Sequence, residues 1–503
     1  MSVKRNIAAN FLGSAWTALI QIAFVPLYIR YLGIEAYGLI GIYAMLQVLL
    51  SLLDMGLTPT LSREMARFKA GALSIGQIRA LLRSIELVFL GVGLVILFIV
   101  AIGAPWLAED WLKAEVLPIP AVTRAIHLMG GLIALRWLAG LYRGVILGLQ
   151  HLVWLNSANA VFATLRGAGV VLVLVWISPS IEAFFLYQAC VALLELFVLF
   201  RKVWRWLPSK EKPLFSREAL RDIWRFSAGL SVISMLVVLL IQTDKMLLSR
   251  MLSLEAFGYY ALASAVAGSV RLLIGPISAV AYPRLTELVV HGDEGALAEA
   301  YHRFSQMLTL ILAPSALVLA LFSEQILMLW IQDATTVNAV APLATLLTIG
   351  FLLNGFMSTP HNLMLAHGRT RFIIVLYVFY VAIFVPAIYF GVSAYGAIAA
   401  GYAWIALNAS CVIFSVPLIH RKLMPREQWR WYGQDVALPA GAAFAGACAV
   451  YLVAPRPLMH ENWTNLMVIA AAFLFALSAA IIASPFGRES IVRGWLSYAK
   501  SRA

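Results

Sequence analysis

The sequence predicts an all-α polytopic membrane protein of about fourteen transmembrane helices, with two pseudo-symmetric six-helix lobes around a central cavity and two further C-terminal helices. Three observations predict it. The 503-residue chain is 62% hydrophobic and 12% charged, whereas soluble domains carry about 25% charged residues. Apolar runs of about twenty residues recur along nearly the whole length, each long enough to cross about 30 Å of hydrocarbon. A short pattern also returns at fixed spacing. Arg30 pairs with Arg250, Leu32 with Leu252, Glu35-Ala36 with Glu255-Ala256 and Gly38 with Gly258, always 220 residues apart. Gly148 and Gly368 share the same shift. Recurrence at one spacing marks an internal repeat. Six crossings separate the copies, so the repeat is parallel, related by an axis along the membrane normal.

The expected spans are 7–29, 36–58, 84–104, 125–149, 152–177 and 181–200 in the first lobe. In the second they are 226–248, 257–281, 304–331, 340–366, 372–390 and 397–419, followed by 436–453 and 466–484. The first apolar run continues past Tyr28 without a small-residue cleavage site, so it reads as an uncleaved helix. Basic segments follow the even-numbered spans: 63–83, 201–221, 421–430 and the tail from Arg488. A polar connection is expected at 283–303. By the positive-inside rule these segments are cytoplasmic, as are both termini. The organisation is therefore an N-terminal lobe at 1–200, a basic linker at 201–225, a C-terminal lobe at 226–420, and helices 13 and 14 with a cytoplasmic tail at 421–503.

The net charge of +13 lies mainly in those short loops, which fits membrane topology and anionic lipid rather than nucleic acid. Cys190, Cys411 and Cys448 sit singly in apolar runs, with neither metal-ligand spacing nor a disulfide framework. No glycine-lysine phosphate loop or catalytic constellation is present, so no cofactor is expected and the chain reads as no enzyme.

The informative residues are charges inside the spans. Arg136, Arg166 and Arg271 lie near the middle of theirs, and Arg143 follows Arg136 by two helical turns on nearly the same face. A central arginine facing lipid costs about 2.5–3.5 kcal/mol, so such residues are functional candidates. Their planar donor forks match phosphate oxygens or acidic sugars in a cationic cavity. The alternative is pairing with a buried carboxylate such as Glu86 or Glu195 or, for Arg143, snorkelling to the interface. Asp54, Asp244 and Lys245 are coupling or gating candidates, with H⁺ or Na⁺ as the coupling ion. Asp54 lies near an interface and also reads as a structural cap. Asp244 and Lys245 diverge by about 100° on a helix and are expected to find different partners.

Tyr31-Leu32-Gly33, Tyr37-Gly38, Leu53-Asp54-Met55-Gly56-Leu57 and Ser62-Arg63-Glu64 resemble the amino-terminal pattern of bacterial polysaccharide flippases. These belong to the multidrug/oligosaccharidyl-lipid/polysaccharide (MOP) superfamily. Leu147-Gly148-Leu149-Gln150 followed by Asn156 is similar to that family's helix 4–5 connection. The resemblance implies two lobes in a V, alternating access, and residence in the bacterial inner membrane. Its implied cargo is an undecaprenyl-pyrophosphate-linked oligosaccharide, moved from the cytoplasmic to the periplasmic leaflet for O-antigen or exopolysaccharide biosynthesis. A polysaccharide polymerase and other assembly proteins are the implied partners. The alternatives are an ion-coupled drug or cation antiporter of the same superfamily, which the cationic midplane disfavours, and a membrane glycosyltransferase or polymerase.

Overall fold

The computed structural model describes residues 3–54, 56–209, 215–216, 235, 238–454 and 462–489. Among them, thirteen helices are long and apolar enough to cross a membrane. They correspond to expected spans 1–6 and 8–14. Most of the first half of the seventh expected span, 226–248, lies outside the described residues, and its second half is helical at 238–251. Lys210, Lys212, Arg217 and Arg221 of the basic linker, and Arg493, Lys500 and Arg502 of the tail, also lie outside them. The protein is an all-α polytopic membrane protein, and it divides into two compact units, Met1–Gly258 and Tyr259–Ala503.

The first unit contains α1 (Val3–Ala23), α2 (Val25–Leu32), α3 (Ile34–Leu50), α4 (Leu57–Lys69), α5 (Ile75–Trp106) and α6 (Ile119–Gly148). It continues with α7 (Leu152–Thr164), α8 (Val170–Trp176), α9 (Ile181–Trp206) and α10 (238–251), and takes in the first turn of α11 (Leu254–Gly268). The 63–83 segment is not the connecting loop that its charge suggests. A 3₁₀ turn at Ser51–Asp54 leads to Gly56 in the left-handed region (φ 74°), and α4 then begins. Leu57, Leu61 and Met65, four residues apart, bury one stripe of α4, while Arg63 and Arg67 point outward. An amphipathic helix leaves no continuous apolar run, which is why span-hunting misses it. Two glycines of α6 hold α4 close: a Cβ at Gly148 would meet Ser62 O at 2.2 Å, and one at Gly144 would meet Thr58 Cγ2 at 2.6 Å.

The repeated pattern is architectural. Helices α3 and α11 begin at Ile34 and Leu254, so the 220-residue shift is kept. The two copies meet within the first unit. A Cβ on Gly38 would lie 2.6 Å from Leu254 O, and one on Gly258 would lie 2.4 Å from Ile34 O. Only glycine permits that backbone approach. Glu35 is buried and accepts hydrogen bonds from the backbone N–H groups of Glu115, Val116 and Leu117 at 2.6, 2.9 and 2.9 Å. The turn so fixed carries Lys113, whose carbonyl accepts from Leu254 N at 2.9 Å.

The second unit holds the rest of α11, then α12 (Ile274–His291), α13 (Glu294–Leu321), α14 (Ser323–Ile331), α15 (Ala334–Phe356) and α16 (Ser358–Ala366). After these come α17 (Thr370–Tyr395), α18 (Ile398–Ser410), α19 (Val416–Leu423), α20 (Gln428–Arg430), α21 (Leu438–Val453) and α22 (Asn462–Ala483). The 283–303 connection is helical too. Helix α12 runs through it to Gly292 (φ 70°), and Asp293 caps α13 by accepting from Ala296 N at 2.9 Å. Leu285, Leu312, Ala313, Phe322 and Trp431 form part of its buried core. Helices α21 and α22 come close enough for a Cβ at Gly446 to sit 2.9 Å from Phe475 O.

Candidate functional site

The charged site in the first unit is assembled by α3, α6, α9 and an irregular turn between α7 and α8. Residues Leu165–Gly169 form a π-helical turn, which widens the helix and loosens its carbonyls. Neighbouring side chains satisfy them: Tyr187 Oη donates to Leu165 O at 3.0 Å, Gln188 Nε2 to Arg166 O at 3.2 Å and Tyr28 Oη to Gly167 O at 3.3 Å. Gly167 also lets the turn seat on α1, since a Cβ there would lie 2.6 Å from Ile20 Cγ2. The turn therefore holds Arg166 in place, and its Nη1 donates to Glu195 Oε2 at 2.6 Å.

Glu195 is the hub. Its side chain is only 2% exposed, and its other oxygen accepts from Arg143 Nη2. Burial would make a lone carboxylate very costly, but two charge-assisted hydrogen bonds occupy both its oxygens. Arg143, 35% exposed, remains partly open, while Arg166 is 14% exposed. Arg136, two turns before Arg143 on α6, makes no such pair. Its guanidinium lies 5.7 Å from the centre of the Tyr43 ring, a cation–π contact. Among the described residues, Arg136 Nε, Arg143 Nε and Tyr43 Oη are buried without a hydrogen-bond partner. Two guanidiniums thus share one carboxylate, Arg136 stands near them outside the pair, and the surplus is positive.

Arg136 opens into a pocket of about 570 Å³ whose polar lining includes Gln47, Ser51, Asp54 and Thr58. Trp137 forms another wall, stacked on Phe89 with ring centres 4.5 Å apart and donating from Nε1 to Phe89 O at 3.1 Å. Asp54 caps the start of α4: Oδ1 accepts from Thr58 N at 3.1 Å and Thr58 Oγ1 at 2.6 Å. The cavity can present guanidinium and amide donors and a carboxylate to one polar guest. Its own two charged groups, Arg136 and Asp54, are opposite, and the positive surplus comes from the neighbouring Arg143, Arg166 and Glu195.

The other expected residues fall elsewhere. Arg271 lies on a 3₁₀ turn of the second unit, Ser269–Leu273, exposed and 5.9 Å from the Phe351 ring centre. Lys245 Nζ lies 3.9 Å from Asp244 Oδ2. Sequence reasoning named Asp54 but missed Tyr43, Gln47, Ser51 and Thr58, which carry no signal of their own in an apolar run. It named Glu195 only as a neutralising partner. The spacing of Arg136 and Arg143 was the legible clue.

A family model described as "Polysaccharide biosynthesis protein" matches residues 3–289, more than half of the chain. The chain belongs to this family. A curated relative from Shigella flexneri, named "Putative O-antigen transporter", is 21% identical over 408 residues. The match covers 80% of this chain and 94% of that protein. Among solved structures, "Lipid II flippase MurJ, inward closed conformation" superposes with a TM-score of 0.70 at 13% identity, covering 97% of this chain and 99% of that one. An inward-facing multidrug resistance MATE family transporter of the MOP superfamily gives 0.58 at 13% identity, with 95% of each chain covered. At such identities the likeness is one of fold, and the fold is that of MOP transporters.

Proposed function

We propose that this chain is a flippase, a transporter rather than an enzyme. It moves an undecaprenyl-pyrophosphate-linked oligosaccharide from the cytoplasmic to the periplasmic leaflet by alternating access. One observation carries the reading: within membrane-spanning helices, Arg143 and Arg166 share the single carboxylate of Glu195, and Arg136 stands near them without an ion pair and lines a pocket. Uncompensated arginine is expensive in a membrane and is retained where an anionic group passes. Pyrophosphate supplies that group, and the planar guanidinium fork fits its oxygens. The family match and the O-antigen relative support the same cargo class. Arg271 is a second cationic contact for the cargo. A cationic drug would meet repulsion at this site, so the antiporter alternative loses ground.

In this reading the basic segments and both termini are cytoplasmic, Asp244 beside Lys245 is the carboxylate that answers to H⁺ or Na⁺, and a polysaccharide polymerase receives the product. The test is reconstitution with undecaprenyl-pyrophosphate-linked oligosaccharide and a membrane-impermeant probe of the sugar. Protein vesicles are expected to move cargo faster than empty ones, and equal rates would sink the proposal.

A further inference from the structure

A second charged cluster lies wholly in the second unit, and nothing in the flippase reading uses it. His302 on α13 is buried, its side chain 2% exposed, with a carboxylate at each ring nitrogen. Nδ1 stands 2.5 Å from Asp435 Oδ2, and Nε2 stands 2.8 Å from Glu427 Oε2. Asp435 is fully buried on a π-helical stretch, Trp431–Ala437, that interrupts the start of the thirteenth span. Its other oxygen, Oδ1, is 2.8 Å from Gln306 Nε2. The orientation of that amide is settled, because Gln306 Oε1 accepts from Ser484 Oγ at 2.9 Å and from Phe486 N at 2.8 Å. Gln306 therefore donates to Asp435, and Oδ1 is an acceptor.

Counting protons decides what the cluster is. Two ring-nitrogen-to-carboxylate contacts at hydrogen-bond distance need two protons, one on each line. A neutral imidazole carries one. With both carboxylates ionised and the ring neutral, one contact would set two lone pairs face to face. The geometry points to a proton-binding site in which His302, Asp435 and Glu427 together hold one proton beyond the neutral ring. That proton fastens the 424–430 turn, which carries Glu427 and leads into α20, to α13. The other charged and titratable groups around it are few. Arg430 Nη1 lies 3.7 Å from Glu427 Oε2, and Arg303 stacks on Phe486. Tyr301 Oη lies 3.1 Å from His420 Nε2 on α19, and Tyr432 packs against Trp431.

Loss of the proton has a defined route. Asp435 is enclosed and held by Gln306, whereas Glu427 is 26% exposed and has Arg430 beside it. The Nε2 contact therefore opens first, releasing Glu427 toward Arg430 and freeing the 424–430 turn. One of the two ring contacts exists only while the cluster holds that extra proton, so the fastening is complete at low pH and is lost as pH rises. The site stands on the second unit alone and does not depend on what the protein carries.

The test uses the full chain in lipid nanodiscs, with hydrogen exchange read on peptides spanning 424–437 and corrected for the intrinsic pH dependence of exchange. In the native sequence, protection is expected to fall about tenfold between about pH 6 and pH 9. Glu427→Gln and Asp435→Asn each supply an amide N–H that donates to a neutral ring, so the extra proton is no longer needed. Both are expected to keep protection within about twofold over that range. A flat profile in the native sequence would overturn the proposal. So would an unchanged pH response in both variants.

Discussion

The two copies of the duplicated core keep the same backbone plan and differ in charge. Between the anchors Arg30/Arg250 and Gly148/Gly368, a shift of 220 residues places Phe356 opposite Arg136, Leu363 opposite Arg143 and Ile274 opposite Asp54. Phe356 and Leu363 are buried apolar core residues. The difference extends to the helix itself. Helix α6 is unbroken through Arg136 and Arg143, whereas its counterpart divides at Met357 into α15 and α16. Pro360 has no N–H to give the carbonyl of Phe356, so the helix breaks there. Duplication supplied a scaffold twice, and one copy took the cationic chemistry while the other filled the same positions with core.

The comparison can be broken most severely at Glu195. Glu195→Ala leaves Arg143 and Arg166 without their carboxylate and is expected to cost about 3–5 kcal/mol, seen as a fall in thermal midpoint in detergent. Leu363→Arg writes the first copy's charge into the second, where no equivalent of Glu195 is provided. A loss of about 3 kcal/mol is expected, and a neutral result would mean the two copies are chemically interchangeable. Arg136→Ala should leave the thermal midpoint nearly unchanged, because no ion pair is broken, but lower cargo translocation about tenfold, equivalent to about 1.4 kcal/mol. If transport and stability fall together, Arg136 is a packing residue. The smallest effect is at Asp54, where Ala should cost about 1 kcal/mol through loss of the α4 cap, with Asn restoring most of it.

Much of this architecture was legible because long apolar runs and a repeated spacing survive averaging over neighbours. The thirteen described spans stand where hydropathy puts them. Helix α4 and the polar part of α12 were illegible for the same reason, since their buried residues alternate with charged ones and form no run. Within the site, Arg136 and Arg143 announced themselves by sitting where lipid would penalise them. Tyr43, Gln47 and Ser51 gave no such warning, because uncharged polar groups cost little in a span and so carry little information. His302 and Asp435 are 133 residues apart, and only the folded chain brings them into hydrogen-bond distance.

The contact of Gly38 with Gly258 has a practical consequence for dissecting the molecule. The seam of duplication and the seam of packing do not coincide, because the second copy's opening segment, through Gly258, is lodged in the first unit. Cutting the polypeptide in the basic linker would thus strip the front fragment of a strut it is built around. Two fragments divided there should be recovered together, by complementation in one membrane, and neither should persist when expressed alone.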